Sequence, residues 1–170
     1  MKVRFDEIPD EGLNLTIYDE SWFPSGEISR SETANAEISL EKRDKRVFLK
    51  GAIHTTIVLH CDRCLDPFNL PLDIKFRTDL ELTDDYKETS VQDHVCERCE
   101  MDVILLDEPV IDIFNVLRQQ IFLSIPTKKL CSNRCEGLCS KCGANRNREK
   151  CNCPQDSGYS PFSILDKIKK

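Results

Sequence analysis

The chain has 170 residues, 39% of them hydrophobic, with eight Phe, one Trp and a formal net charge of −6. That length suits one domain, or one domain with a small appendage, and no apolar run reaches the ~18–20 residues of a membrane-spanning helix. The N-terminus, MKVRFDEIPDEG, has neither an apolar stretch nor a small-residue cleavage site, so no secretory signal and no membrane partner are expected, and a cytoplasmic protein of bacterial style is.

Charge is divided along the chain. Thr127–Lys170 holds ten Lys/Arg against four Asp/Glu, a formal +6, which leaves −12 on Met1–Pro126. An acidic body with a basic tail points to different tasks for the two parts.

In chain order, LNLTIY places Leu13, Leu15 and Ile17 in step, and Ala36, Ile38 and Leu40 alternate likewise. KRDKR at Lys42–Arg46 reads as a polar turn. Beyond it, Val47, Leu49, Ile53, Ile57 and Leu59 share one parity, and Phe68, Leu70, Leu72, Ile74, Phe76, Leu80 and Leu82 share another. Period two over such lengths predicts two long strands, each with one buried face. TDDYKETSVQ, from Thr83 to Gln92, has no period and reads as a loop. Val110, Ile113, Phe114, Leu117 and Ile121 follow helical spacing, with Pro109 suited to a first turn and Pro126 barring continuation, so a helix is expected over about 109–124. The last stretch, SPFSILDKIKK, suggests a short helix capped by Ser160.

Ten cysteines carry the chemistry. Cys61-x-x-Cys64 sits between the two long predicted strands, so it reads as a knuckle at a hairpin tip. Cys96-x-x-Cys99 follows the polar loop. Cys131, Cys135, Cys139, Cys142, Cys151 and Cys153 crowd into twenty-three residues. Thiols stay reduced in the cytoplasm, so disulfides are not the expected use. Two residues between thiolates let both reach one tetrahedral metal from a tight turn, and repeated CxxC pairs point to zinc, with two ions expected.

Cys139, Cys142, Cys151 and Cys153 form the densest set of four. For Cys61 and Cys64 two completions compete: Cys131 and Cys135 folding back, or Cys96 and Cys99. Each strands one pair. His60 and His94 stand beside cysteine pairs and could fill a deficit, although a lone histidine is more often a surface or packing residue.

A catalytic zinc keeps an open position and draws on His or carboxylate ligands. Here nearly every candidate ligand is cysteine, no HExxH or Gly-rich phosphate loop is present, and no enzyme is expected. Arg63 and Arg98 inside the CxxC pairs would lower thiol pKa without metal, which keeps a thiol redox sensor as an alternative. Lys128, Lys129, Arg134, Lys141, Arg146, Arg148 and Lys150 decorate the tail and are candidate contacts to nucleic acid or a partner protein. No aromatic residue lies between Thr127 and Cys153, so base stacking is not supplied there. The bland alternative is a solvated basic face.

The CxRC knuckle and Pro-Phe of CDRCLDPF, the FLSIP helix end, the CxxxCxGLCxxCGxN run and the terminal SPFSILDKIKK together resemble the bacterial large ribosomal RNA subunit accumulation protein family, also called YceD-like. The resemblance runs from about Ala36 to Lys170, and CERC at Cys96/Cys99 departs from it. It implies a role in synthesis, processing or accumulation of large-subunit ribosomal RNA, with that RNA or a ribosome-assembly protein as partner. It also favours the first tail cysteines over CERC as the completion of Cys61 and Cys64.

The expected fold is α+β: an antiparallel β-meander or partly open barrel over 1–126 with one packed helix, followed by a zinc-stapled segment and short terminal helix over 127–170. An interaction module unrelated to ribosomes is the remaining alternative.

Overall fold

The computed structural model describes residues 1–44, 46–83 and 103–153. The Cys96/Cys99 pair, the terminal helix at SPFSILDKIKK and all but the first residue of the Thr83–Gln92 loop lie outside the described residues.

The main sheet is built from the alternating segments. β1 (Lys2–Arg4) begins the chain, then β2 (Leu13–Ile17), the short β3 (Ser29–Arg30), β4 (Asn35–Arg43), β5 (Arg46–His60), β6 (Pro67–Leu82) and β7 (Val103–Leu106). The order is β2-β4-β5-β6-β7, with β3 beside β5. β4, β5 and β6 form the expected antiparallel meander, and the tight turn at Arg43–Arg46 places Asp44 at φ 51°. β7 departs from the meander by running parallel to β6. Among the described residues the sheet is open, with its edge strands β2 and β7 unpaired to each other, so of the two expected forms the meander is the one observed.

Register aligns the apolar parities. Leu15 pairs with Ile38, Leu40 with Leu49, Ile53 with Ile74, and Val47 with Leu80. Leu40, Leu49, Ile53, Ile57 and Leu80 are fully buried, each such side chain stabilising the fold by roughly 1.5–3 kcal/mol. Gly51 lies opposite Phe76, and a Cβ there would strike the Phe76 ring and come 2.9 Å from Ile38 Cδ1, so the bare backbone makes room for the aromatic ring.

The helix starts later than its pattern suggested. α1 spans Ile113–Ser124, and Asp112 caps it, its Oδ1 accepting the Asn115 amide at 3.2 Å. Pro109 is not its first turn. Val110–Asp112 instead form β8, which pairs antiparallel with β1 as a separate two-stranded sheet. Val110 fits helical spacing by chance; the N-terminal strand, more than a hundred residues away in sequence, captures it. Ile113, Val116, Leu117 and Ile121 form the buried face of α1. Trp22, fully buried, packs edge-on against Phe23 at 6.1 Å, and its carbonyl accepts from Arg118 Nε of α1 at 3.4 Å.

One apolar cluster contains this core. A second, formed by Cys61, Cys64 and Cys135 with Phe68 and Leu130 against them, sits at the β5–β6 tip.

Candidate metal centres

The β5–β6 ladder ends at the His60–Pro67 pair, and CDRCLD makes the turn beyond it. Cys61 N donates to Asp66 O at 2.9 Å and Leu65 N to Cys61 O at 2.9 Å, which fold the turn so that both thiols face one side. Leu65 takes a left-handed φ of 62°. The second knuckle repeats this design. Gly143 N donates to Cys139 O at 2.9 Å, and Gly143 has φ 73°. Only glycine enters that region without strain, so the Leu65 version costs about 1–2 kcal/mol more.

After α1 the chain returns along the knuckle. Asp62 N donates to Lys129 O at 2.8 Å, and Asp62 Oδ2 accepts from Lys129 N at 2.7 Å. Arg63 then holds the next turn twice. Its Nη1 donates to Cys135 O at 2.8 Å, and its carbonyl accepts from Leu138 N at 3.0 Å. Gly137, with φ 75°, is required at this crossing, because a Cβ would lie 3.0 Å from Arg63 O.

These contacts gather two groups of four: Cys61, Cys64, Cys131 and Cys135, and Cys139, Cys142, Cys151 and Cys153. Within each, all four sulfurs lie within 4.8 Å of one another. Cys61 Sγ is 3.7 Å from Cys135 Sγ, and Cys64 Sγ is 3.7 Å from Cys131 Sγ. That is far beyond a disulfide bond of ~2.05 Å. It matches the edge of a tetrahedron around an ion bound at ~2.3 Å, about 3.8 Å. Both groups could therefore hold a metal ion, with every corner filled by sulfur. The first group joins Cys61 and Cys64 to the first tail cysteines. His60 is exposed and stands outside both groups, and Cys96, Cys99 and His94 lie outside the described residues.

Within each group the thiols shift one another's ionisation. Burial pushes the Cys61 thiol up, but the backbone amides of Cys131, Cys64 and Arg63 outweigh it and bring it to about 6. Burial and the neighbouring Cys135, Cys64 and Cys61 sulfurs push Cys131 up to about 12. In the other group, the Cys142 and Lys141 amides lower Cys139 to about 5, while the Cys142 sulfur and burial raise Cys153 to about 12. One thiolate in each group makes the next harder to form, and a divalent ion removes that conflict.

The basic residues divide by placement. Arg148, although exposed, pairs with Asp66 of the hairpin tip, Nη2 to Oδ2 at 3.0 Å, and the half-buried Arg146 has Nη2 3.9 Å from Cys139 Sγ, so both side chains are engaged. Lys128, Arg134, Lys141 and Lys150 are exposed, and Lys129 is half-buried. Asp66, Asn145 and Asn147 were not singled out by sequence reasoning. Asn145 Nδ2 donates to Asp66 Oδ2 at 2.8 Å, and Asn147 Nδ2 lies 3.4 Å from Cys135 Sγ. The available signal was their position: two asparagines in the loop between metal-ligand pairs.

A family model described as large ribosomal RNA subunit accumulation protein YceD matches residues 49–169. A chloroplastic YCED homolog 1 from Arabidopsis thaliana, named as a large ribosomal RNA subunit accumulation protein, is 27% identical over 176 residues, covering 91% of this chain and 53% of its own length. The Zea mays protein of the same name is 31% identical over 150 residues, covering 74% of this chain and 50% of its own length. The chain thus spans about half the length of these curated relatives. Their names describe an accumulation protein and no reaction. No solved structure matches the chain. Among the described residues, no helix is long and apolar enough to cross a membrane.

Proposed function

This chain belongs to the large ribosomal RNA subunit accumulation protein YceD family, and we propose that it is a non-catalytic zinc protein acting in synthesis, processing or assembly of large-subunit ribosomal RNA. One zinc ion sits in each cysteine group. The observation that carries the metal half of this reading is the 3.7 Å sulfur spacing in the first group, where two cysteines come from a hairpin tip and two from beyond α1. Four thiolates around zinc leave no position for substrate water, so the ions are structural. A short tail buries too little apolar surface to fold alone, and metal binding supplies the missing free energy.

In this reading residues 1–126 are the body and 127–170 the module that makes contact. Four thiolates per zinc leave each centre about −2, which offsets part of the tail's charge. The partner is ribosomal RNA or a ribosome-assembly protein, met by Lys128, Lys129, Arg134, Lys141 and Lys150, with Arg146 and Arg148 ordering the surface through their contacts to Cys139 and Asp66. A cytoplasmic location is part of the proposal, although the relatives named above are chloroplastic.

The test is depletion of the protein in its host, with both ribosomal RNAs, their precursors and the subunit sedimentation profile quantified. A selective deficit of large-subunit RNA is expected. Balanced RNAs and normal subunits overturn the ribosomal reading. Complementation with Lys128, Lys129 and Arg134 changed to Glu then separates contact from fold. In the same cells, recovery of RNA with the tagged protein across a salt series distinguishes phosphate contact, which falls steeply with salt, from a protein partner.

A further inference from the structure

Asn147 lies in the loop between Cys142 and Cys151, yet its side chain serves the other group of cysteines. Nδ2 donates to Cys135 Sγ at 3.4 Å and to Asn145 Oδ1 at 2.9 Å, while Oδ1 accepts from Glu136 N at 2.8 Å. Both amide protons and the oxygen are used, and the arrangement reads only one way round. Turning the amide over would set its oxygen against sulfur and its NH2 against the Glu136 amide proton. Asn145 fixes Asn147 in turn: its Oδ1 also accepts Asn147 N at 3.0 Å, its carbonyl accepts Arg148 N and Glu149 N, and its Nδ2 reaches Asp66.

We propose that Asn147 is a positioning residue through which the tail's cysteine group completes the hairpin group, so that the two metals load in order, tail first. The inference rests on the zinc reading above. A thiolate ligand gains stability from an N–H donor, and groups that orient a ligand from outside the coordination sphere typically change metal affinity by about 10–100-fold. The loop that presents Asn147 is closed at both ends by Cys142 and Cys151. An ion shared by those two cysteines would fix its working shape, which Asp66 also anchors from outside. The reverse dependence is weaker at the sulfurs: Cys139, Cys142, Cys151 and Cys153 span a short stretch of one segment and receive no hydrogen bond from Cys61, Cys64, Cys131 or Cys135 among the described residues, while Arg63 and Asp66 of the hairpin tip hold only the chain around them. The hairpin group must instead close across a sequence separation of 67 from Cys64 to Cys131.

The experiment uses the full-length reduced protein, stripped of metal and reloaded anaerobically with zinc or cobalt(II). Alkylation followed by mass spectrometry reads which cysteines each equivalent protects, and the cobalt absorption bands read ligand geometry. In the wild type, one equivalent protects Cys139, Cys142, Cys151 and Cys153, and the second protects Cys61, Cys64, Cys131 and Cys135. Asn147→Asp keeps the acceptor for Glu136 but replaces the donor with a negative charge beside sulfur. It should weaken the hairpin group by about 10–100-fold, leave the tail group as tight as wild type, and shift the cobalt bands of the second equivalent alone. Asn147→Ala, which removes the donor without adding charge, should fall between the two. Equal hairpin affinity in wild type and both variants overturns the proposal while leaving the zinc reading intact, as does protection of both groups in parallel. A wild type that binds neither metal overturns the zinc reading, and this inference with it.

Discussion

Asp66 and Arg148 form an ion pair, Nη2 to Oδ2 at 3.0 Å, that ties the tail's second cysteine group to the hairpin tip carrying the first. Asn145 reaches the same oxygen at 2.8 Å, so one carboxylate anchors the loop at two points. The pair is partly open to solvent, which limits what it contributes.

Asp66→Ala is expected to cost about 1 kcal/mol or less and to keep both metals bound. Its effect should be local: amide exchange across Asn145–Glu149 accelerates while the β5–β6 ladder stays protected. Unchanged exchange in that loop would mean the anchor is not what holds it.

Cys61→Ser should remove about half of the bound zinc, and Cys139→Ser should remove about half and also weaken the hairpin group, which loads after the tail group; each should loosen the tail. The body should keep its unfolding transition, because the buried residues of the apolar core and of the cysteine cluster are different ones, bridged by Phe68, which packs against both. Loss of the whole transition in either variant would falsify the division into body and metal-stapled tail. Zinc content and thermal unfolding, measured on the same samples, decide it.

Cys96→Ser combined with Cys99→Ser should leave zinc stoichiometry unchanged. The hairpin group already has four sulfurs in Cys61, Cys64, Cys131 and Cys135. A drop in zinc on purified protein would show that the CERC pair takes part after all.

Acid should release the two metals in sequence. Loading strips protons from Cys64, Cys131 and Cys153, whose pKa values are raised, so affinity falls as pH falls. Each proton released costs about tenfold per pH unit. Cys61 joins that count only below about 6, and Cys139 only below about 5. The hairpin group should therefore weaken more steeply first. Zinc release to a fluorescent chelator between pH 7 and pH 4, with alkylation identifying the emptied group, tests the order; release of the tail group first contradicts it.

Leu65→Gly should stabilise the knuckle by about 1 kcal/mol, because the left-handed φ of 62° strains any side chain there. Chelator-driven zinc release from the hairpin group should slow. Faster release would show that the exposed leucine contributes more through its contacts than it loses through its backbone.

The strands were legible because each signal is local. Alternation over Val47–Leu59 and Phe68–Leu82 needs no partner to be recognised, and the register then follows from matching apolar parities. The start of α1 was not legible. Val110–Asp112 is helical by spacing and becomes a strand only because Lys2–Arg4 lies beside it. The cysteines show the same boundary between local and distant information. The tail group is four residues sets close in sequence, and spacing alone picked it out. The completion of Cys61 and Cys64 depends on where the chain arrives after α1, which is set by Asp62, Lys129, Arg63 and Gly137. Asn147 could not be read from spacing at all, since nothing in the sequence tells which sulfur its amide meets.

Trp22 is the chain's one tryptophan, buried in the body against Phe23 and linked to α1 through Arg118. The molecule therefore carries its own pair of optical reporters. Indole emission follows the body, and sulfur-to-cobalt absorption follows the two cysteine groups, with no added label. Recorded together during chelation or heating, they show from one cuvette whether the body and the cysteine groups come apart together or as two separate curves.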